Sequence, residues 1–219
     1  MNHRVRVWDL PTRLFHWILF GCVVALVATA KAGAMQWHFR LGYAVLALLV
    51  FRFAWGLFGG RWSRFGSFLY GPSRLLAYLQ GRGHPEWSVG HSPLGALSVF
   101  ALLGALALQV ASGLLSDDEI AFAGPLAHLV SSDWVSLATW YHKDIGQWLV
   151  ISLAGLHVAA ALFYLWGRGQ NLIGPMVGGD KHLDRAVPPS RDDAGTRLLA
   201  LVLAGASAAL AWWVSGLSA

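Results

Sequence analysis

Apolar residues gather into five long runs along the chain, near 12–30, 37–58, 94–115, 141–166 and 197–217, separated by shorter polar connections. Each run is close to the roughly 20 residues that a helix needs to cross a bilayer. Pro11 and Pro93 stand where the first and third runs begin, a helical position that tolerates proline. The first run follows Trp8-Asp9-Leu10-Pro11-Thr12, and no small-residue cleavage site leads from it into a soluble domain. It is therefore expected to be a span rather than a removable signal. The pattern predicts an all-α integral membrane protein.

Two connections are more than turns. Residues 73–80 carry Leu75, Leu76, Tyr78 and Leu79 beside Arg74, which predicts a short helix lying in the membrane interface. Residues 120–136 mix apolar and acidic positions. Both are expected to cap a helical bundle.

Composition sharpens this picture. Hydrophobic residues make up 56% and charged residues only 12%, about half the charge of a soluble domain (roughly 25%). That balance argues against a soluble enzyme and against disorder. Twelve Trp and eleven Phe suit aromatic belts at a membrane surface. The net charge of +5 has no basic stripe behind it, so no nucleic-acid partner is expected. A single cysteine, Cys22, leaves no intramolecular disulfide, Cys-rich zinc site or Cys-ligated cluster. No C-x-x-C-H motif is present, so covalent c-type haem is excluded.

The distribution of Lys and Arg predicts orientation. Arg4, Arg6 and Arg13 precede or open the first span. Arg61, Arg64, Arg74 and Arg82 lie between the second and third, and Arg168, Lys181, Arg185 and Arg191 between the fourth and fifth. The connection at 116–140 holds Asp117, Asp118, Glu119 and Asp133 and no Lys or Arg. The N-terminus is thus expected to be cytoplasmic.

The candidate chemistry lies in the histidines, of which there are nine. An ionisable group within a span is costly and marks function by default. His16 sits about one turn inside the first run. His38 and His142 open the second and fourth, and His157 lies well inside the fourth. With alternating spans, His38 and His142 fall near the outer surface. His157 is fifteen residues beyond His142, about 22 Å deeper and within roughly 60° of the same helix face. That brings it to the depth of His16. Two pairs result, His38 with His142 and His16 with His157. Neutral imidazole is a standard axial ligand of haem iron, and two stacked haems would give an electron path across the bilayer.

Gly42 and Gly146 each follow a proposed outer ligand by four residues and are expected to leave room for a macrocycle. Arg13, Lys143 and Arg52 are candidate partners for haem propionates. His91 competes with His16 as inner ligand, or could line a quinone or proton site, although an interfacial helix start explains it more simply. Gln109 is expected to make a helix–helix hydrogen bond. His3, His84, His128 and His182 lie in connections and are expected to be solvated.

These residues resemble the bacterial cytochrome b561 and nickel–iron hydrogenase cytochrome b family. The resemblance rests on Val7-Trp8-Asp9-Leu10-Pro11-Thr12-Arg13-Leu14-Phe15-His16-Trp17, and on His38-x-x-x-Gly42 followed by Arg52-x-x-Trp55-Gly56. It continues through His142 to Gly146, Leu156-His157, and the stretch from Gly169 to Gly179. It implies a four-helix transmembrane bundle binding two haems b, in the inner membrane of a bacterium. On that reading 1–181 is the di-haem domain, 182–196 a cytoplasmic linker, and 197–219 an additional transmembrane helix outside the four-helix core.

The resemblance also implies electron exchange between a quinone pool (ubiquinone or menaquinone) and a redox partner such as a hydrogenase, a reductase or a periplasmic cytochrome c. A related branch oxidises superoxide and passes the electron to ubiquinone. Arg40 and Lys143 beside the outer ligands suit an anionic substrate, while the acidic connection suits a basic cytochrome c. No nucleophile, acid–base pair or nucleotide loop is visible, so no catalytic residue is assigned. The rival of another class is a haem-free transporter or scaffold that uses its histidines for protons or hydrogen bonds.

Overall fold

The structure is a computed structural model describing residues 3–217. A strand β1 (His3–Arg6) leads into α1 (Leu10–Lys31) and α2 (Met35–Phe58). A short helix α3 (Pro72–Leu79) precedes α4 (Pro93–Leu115). Then come α5 (Ser132–Trp140), a π-helical turn (Tyr141–Gly146) and α6 (Gln147–Gly167). The chain ends with α7 (Ile173–Gly178), β2 (Asp180–Leu183) and α8 (Ala194–Ser215).

Among the described residues, five helical segments are long and apolar enough to cross a membrane: α1, α2, α4, the continuous stretch Ser132–Gly167, and α8. Their apolar side chains are largely uncovered. Only 6% of the most hydrophobic window of α1, and of Ser132–Gly167, is buried. Such surface is costly in water and suits contact with lipid or a partner. Helix α3 is where the short interfacial helix is expected.

Two features depart from the sequence expectation. The fourth span begins at Ser132, nine residues before the apolar run, because Ser131 and the Asp133 first turn start a helix that simply continues. Polar residues at 131–133 hide that start from hydropathy. The second departure is the antiparallel pair of β1 with β2, with Arg4 opposite His182 and Val5 opposite Lys181. The strand residues are charged and short, so no alternation announces them.

By internal contacts the chain forms two compact units. One takes residues through 16, 52–100 and 156–203; the other takes 17–51, 101–155 and residues from 204 onward. In the first, Val7, Trp8 and Val89 are buried with Trp62, Met176, Leu183 and Val187 packed on them. Asp180 takes Arg4 and Arg6, and Asp192 takes Arg6 and Arg197, tying β1 to β2 and to the start of α8. Gly179 closes α7 in the left-handed region (φ 93°) and its carbonyl accepts from the Val7 and Trp8 amides. A residue with Cβ is strained there.

Asp9 is the keystone of the same unit. It is fully buried. One oxygen accepts from the Thr12 amide (2.9 Å) and Trp55 Nε1 (3.1 Å), the other from Ser63 Oγ (2.5 Å). The first contact caps α1; the others fasten that cap to the end of α2 and the loop after it. This gives a physical reason for the Trp-Asp-x-Pro-Thr opening.

In the second unit Asp118 organises the loop after α4. One carboxylate oxygen accepts from the amides of Ile120, Ala121 and Phe122. Those three N–H groups favour the charged form and hold its pKa at about 2.

Candidate haem-binding site

In the second unit the π turn places His142. Such turns add a residue to the helical repeat and recur at functional sites. The turn re-aims the His142 carbonyl, which accepts from Gln109 Nε2 on α4 at 3.0 Å. In return His142 Nδ1 lies 2.9 Å from the Gln109 carbonyl and 3.3 Å from Ser112 Oγ. A carbonyl can only accept, so Nδ1 carries the hydrogen and Nε2 keeps its lone pair. Gly113 supplies the space: a Cβ there would stand 2.7 Å from the imidazole Cε1. On α2, His38 Nδ1 donates to the Leu26 carbonyl at 3.1 Å, which frees its Nε2 in the same way. The two rings face each other with centroids 6.2 Å apart and planes at 90°.

In the first unit His16 on α1 faces His157 on α6, with centroids 6.3 Å apart and planes at 55°. His157 Nδ1 lies 3.4 Å from Ser98 Oγ on α4.

These separations are longer than a direct imidazole–imidazole hydrogen bond gives and of a length that a shared metal, like ordinary ring packing, allows. Imidazoles hydrogen-bonded directly, with nitrogens about 3 Å apart, would have centroids about 5 Å apart. Two imidazoles on one metal, each bond about 2 Å long, have centroids about 6 Å apart. Both pairs match the second case. Among the described residues no group of three or more metal-binding side chains occurs, so each site offers two nitrogens, the number haem iron takes axially. Gly42, one turn after His38, has nothing within 4 Å of where a Cβ would stand. Beside the other pair, Arg52 Nη1 and His91 Nδ1 are enclosed without hydrogen-bond partners. The donor sets, the open flank and the unpaired polar atoms fit haem.

The remaining sequence candidates fall as follows. Gly146 does not leave room for a macrocycle: a Cβ there would strike Gln109 Oε1 and the Tyr141 ring, so its role is to admit the Gln109 clamp. Arg13 donates to the Val177 carbonyl at 2.5 Å, tying α1 to α7. Lys143 is exposed, and its carbonyl accepts from the Gln147 amide. Arg40 lies over the Trp37 ring and Lys31 over Trp148. Gln109 makes the interhelical hydrogen bond expected of it. His84, His128 and His182 are exposed and His3 is half-buried in β1. Ser98, Ser112, Gly113 and Asp9 were not singled out as site residues. The spacing Gln109-x-x-Ser112-Gly113, one face of a helix, is the signal that could have found two of them, Ser112 and Gly113.

Facing imidazole pairs on membrane-length helices define a class, the helical membrane proteins equipped to hold haem iron between helices. Residues 7–179 match the family model described as prokaryotic cytochrome b561, and the chain belongs to that family. It is similar to proteins named "Probable Ni/Fe-hydrogenase B-type cytochrome subunit". The one from Azotobacter chroococcum mcd 1 is 25% identical over 215 residues, covering 80% of this chain and 87% of the relative. That from Bradyrhizobium diazoefficiens is 24% identical (81% and 85% covered), and that from Cupriavidus necator 25% (79% and 85%). No solved structure matches the chain. The protein is a multi-pass membrane b-type cytochrome with a role in electron transfer, and its cofactor is haem b.

Proposed function

We propose that the chain holds two haems b, one between His16 and His157 and one between His38 and His142. It carries electrons between a quinone pool and a redox partner on the periplasmic face. The observation that carries this reading is the pair of centroid separations, 6.3 and 6.2 Å, both of bis-imidazole length. Haem b supplies a one-electron couple at each site when bound. The chain's own part is to present the imidazoles in one tautomer, exclude water and set the local charge. Hydrogen bonds from Nδ1 to the carbonyls of Leu26 and Gln109 raise the basicity of the opposite nitrogens.

The names of the relatives favour an enzyme subunit such as a hydrogenase as the partner. Superoxide oxidation is less favoured. Its anionic substrate needs an uncompensated cationic patch, and Asp118 lies close enough to Lys143 to feel its charge. Arginine placement supports a cytoplasmic N-terminus. A cysteine at Asp118 should then be labelled by an impermeant reagent from the periplasm, and one at Arg74 should not.

The test of the ligand assignment compares His16→Ala with His91→Ala by haem content of purified protein. His16→Ala should lose one haem and His91→Ala none. The reverse would move the ligand to the loop before α4.

A further inference from the structure

We propose that Arg52 and His91 form a carboxylate-accepting site beside the His16–His157 pair. The inference rests on that pair holding haem b.

Arg52 lies within the apolar run of α2 and is only 3% exposed. A guanidinium enclosed this way calls for an anion or for several acceptors. It has neither in full. Nη1 is without a hydrogen-bond partner, and the contacts around the group are ring faces, Phe65 at 4.6 Å and Phe15 at 6.0 Å. Asp9 acts on Arg52 through space, but its carboxylate is already committed to Thr12, Trp55 and Ser63.

His91 supplies the second donor. Its ring sits against Trp8 (4.7 Å) and Phe68 (4.4 Å), and its carbonyl is taken by Tyr70 Oη. Nδ1 is enclosed and unpaired. Phe68 in turn packs on Phe65, so one aromatic cage joins His91 to Arg52. Arg52, Lys181 and both proposed ligands lie within electrostatic reach of the ring, and Nδ1 in its N–H tautomer donates.

Lys181, whose ammonium donates to the Val89 carbonyl at 3.4 Å, adds positive charge. A carboxylate satisfies this arrangement best. It has oxygens for two donors, accepts charge-assisted bonds from a guanidinium, and neutralises a buried cation. Two sources share that chemistry: a propionate of the haem held by His16 and His157, and a free carboxylate anion.

The experiment uses the full-length, haem-loaded protein in detergent, with Arg52→Met, Arg52→Lys and His91→Phe variants. Two readouts are taken: the propionate bending band in the resonance Raman spectrum, and the midpoint potential of the haem that His16→Ala removes. For a propionate, Arg52→Met shifts the band and lowers that potential, because a lost cation favours the ferric form. Arg52→Lys shifts the band but keeps the potential near wild type, and His91→Phe shifts the band. For a free anion, the band stays put in every variant, and added acetate moves the potential of wild type but not of Arg52→Met. Should Arg52→Met not accumulate, Arg52→Lys and His91→Phe give the same band test. An unmoved band together with no acetate response overturns the site. If instead His16→Ala keeps both haems, the reading of the pair itself falls, and the site with it.

Discussion

Gln109 and His142 hold each other through two hydrogen bonds that run in opposite directions. The Gln109 side-chain amide donates to the His142 carbonyl at 3.0 Å, and the His142 ring donates through Nδ1 to the Gln109 carbonyl at 2.9 Å. The first secures a carbonyl that the π turn re-aims; the second fixes ring orientation and tautomer. Partners of this kind change the affinity of the bound group by about 10- to 100-fold when removed. Gln109→Leu removes the first bond and leaves the backbone carbonyl that accepts from Nδ1, so it should release the His38–His142 haem faster than wild type by up to about 10-fold, the lower end of that range, measured as transfer to excess apomyoglobin. The other haem should be retained at the wild-type rate. Unchanged release of both would show that the clamp is ornamental.

Asp9→Ala removes a helix cap, which costs about 0.5–2 kcal/mol. It also takes one partner each from Trp55 Nε1 and Ser63 Oγ, which keep Thr12 Oγ1 as the other, so a further loss of about 1 kcal/mol is expected. The sum shows as a lower thermal midpoint of the detergent-solubilised protein. Asp9→Asn keeps an acceptor oxygen for the cap and should lose less. Equal midpoints for wild type and Asp9→Ala would contradict the keystone role.

The fold's legibility in the sequence varied with its cause. Five spans and the pairing of four histidines by depth were readable because hydropathy, helical rise and alternation of direction are simple periodic quantities. The π turn was not readable. Nothing in Tyr141-His142-Lys143-Asp144 distinguishes it from ordinary helix until Gln109 on α4 is seen to accompany it. Gly146 was misjudged for the same reason, since the residue that fills its space comes from another helix. The β1–β2 pair escaped because ion pairs between distant residues, Arg4 and Arg6 with Asp180, accompany it in place of apolar alternation.

His91 makes a prediction about pH. Its pKa falls from 6.5 to about 3 on folding, through burial first and then the neighbouring Arg52, His157, His16 and Lys181. Between those values the unfolded chain binds a proton that the folded chain refuses. Stability from this group is therefore present above pH 6.5 and is lost as pH falls toward 3. Chemical denaturation followed from pH 7 to pH 4 should show a shallower acid decline in His91→Phe than in wild type. Parallel declines would mean that His91 does not carry the proton linkage.

Two separate imidazole pairs, His16 with His157 and His38 with His142, are each proposed to hold one haem. Haem-to-protein ratios with reduced-minus-oxidised spectra, taken on wild type, His142→Ala, His157→Ala and the double variant, test it most directly. Two haems are expected in wild type, one in each single variant with distinct spectra and potentials, and none in the double variant. A single haem in wild type, or loss of the same haem species in both single variants, would contradict it.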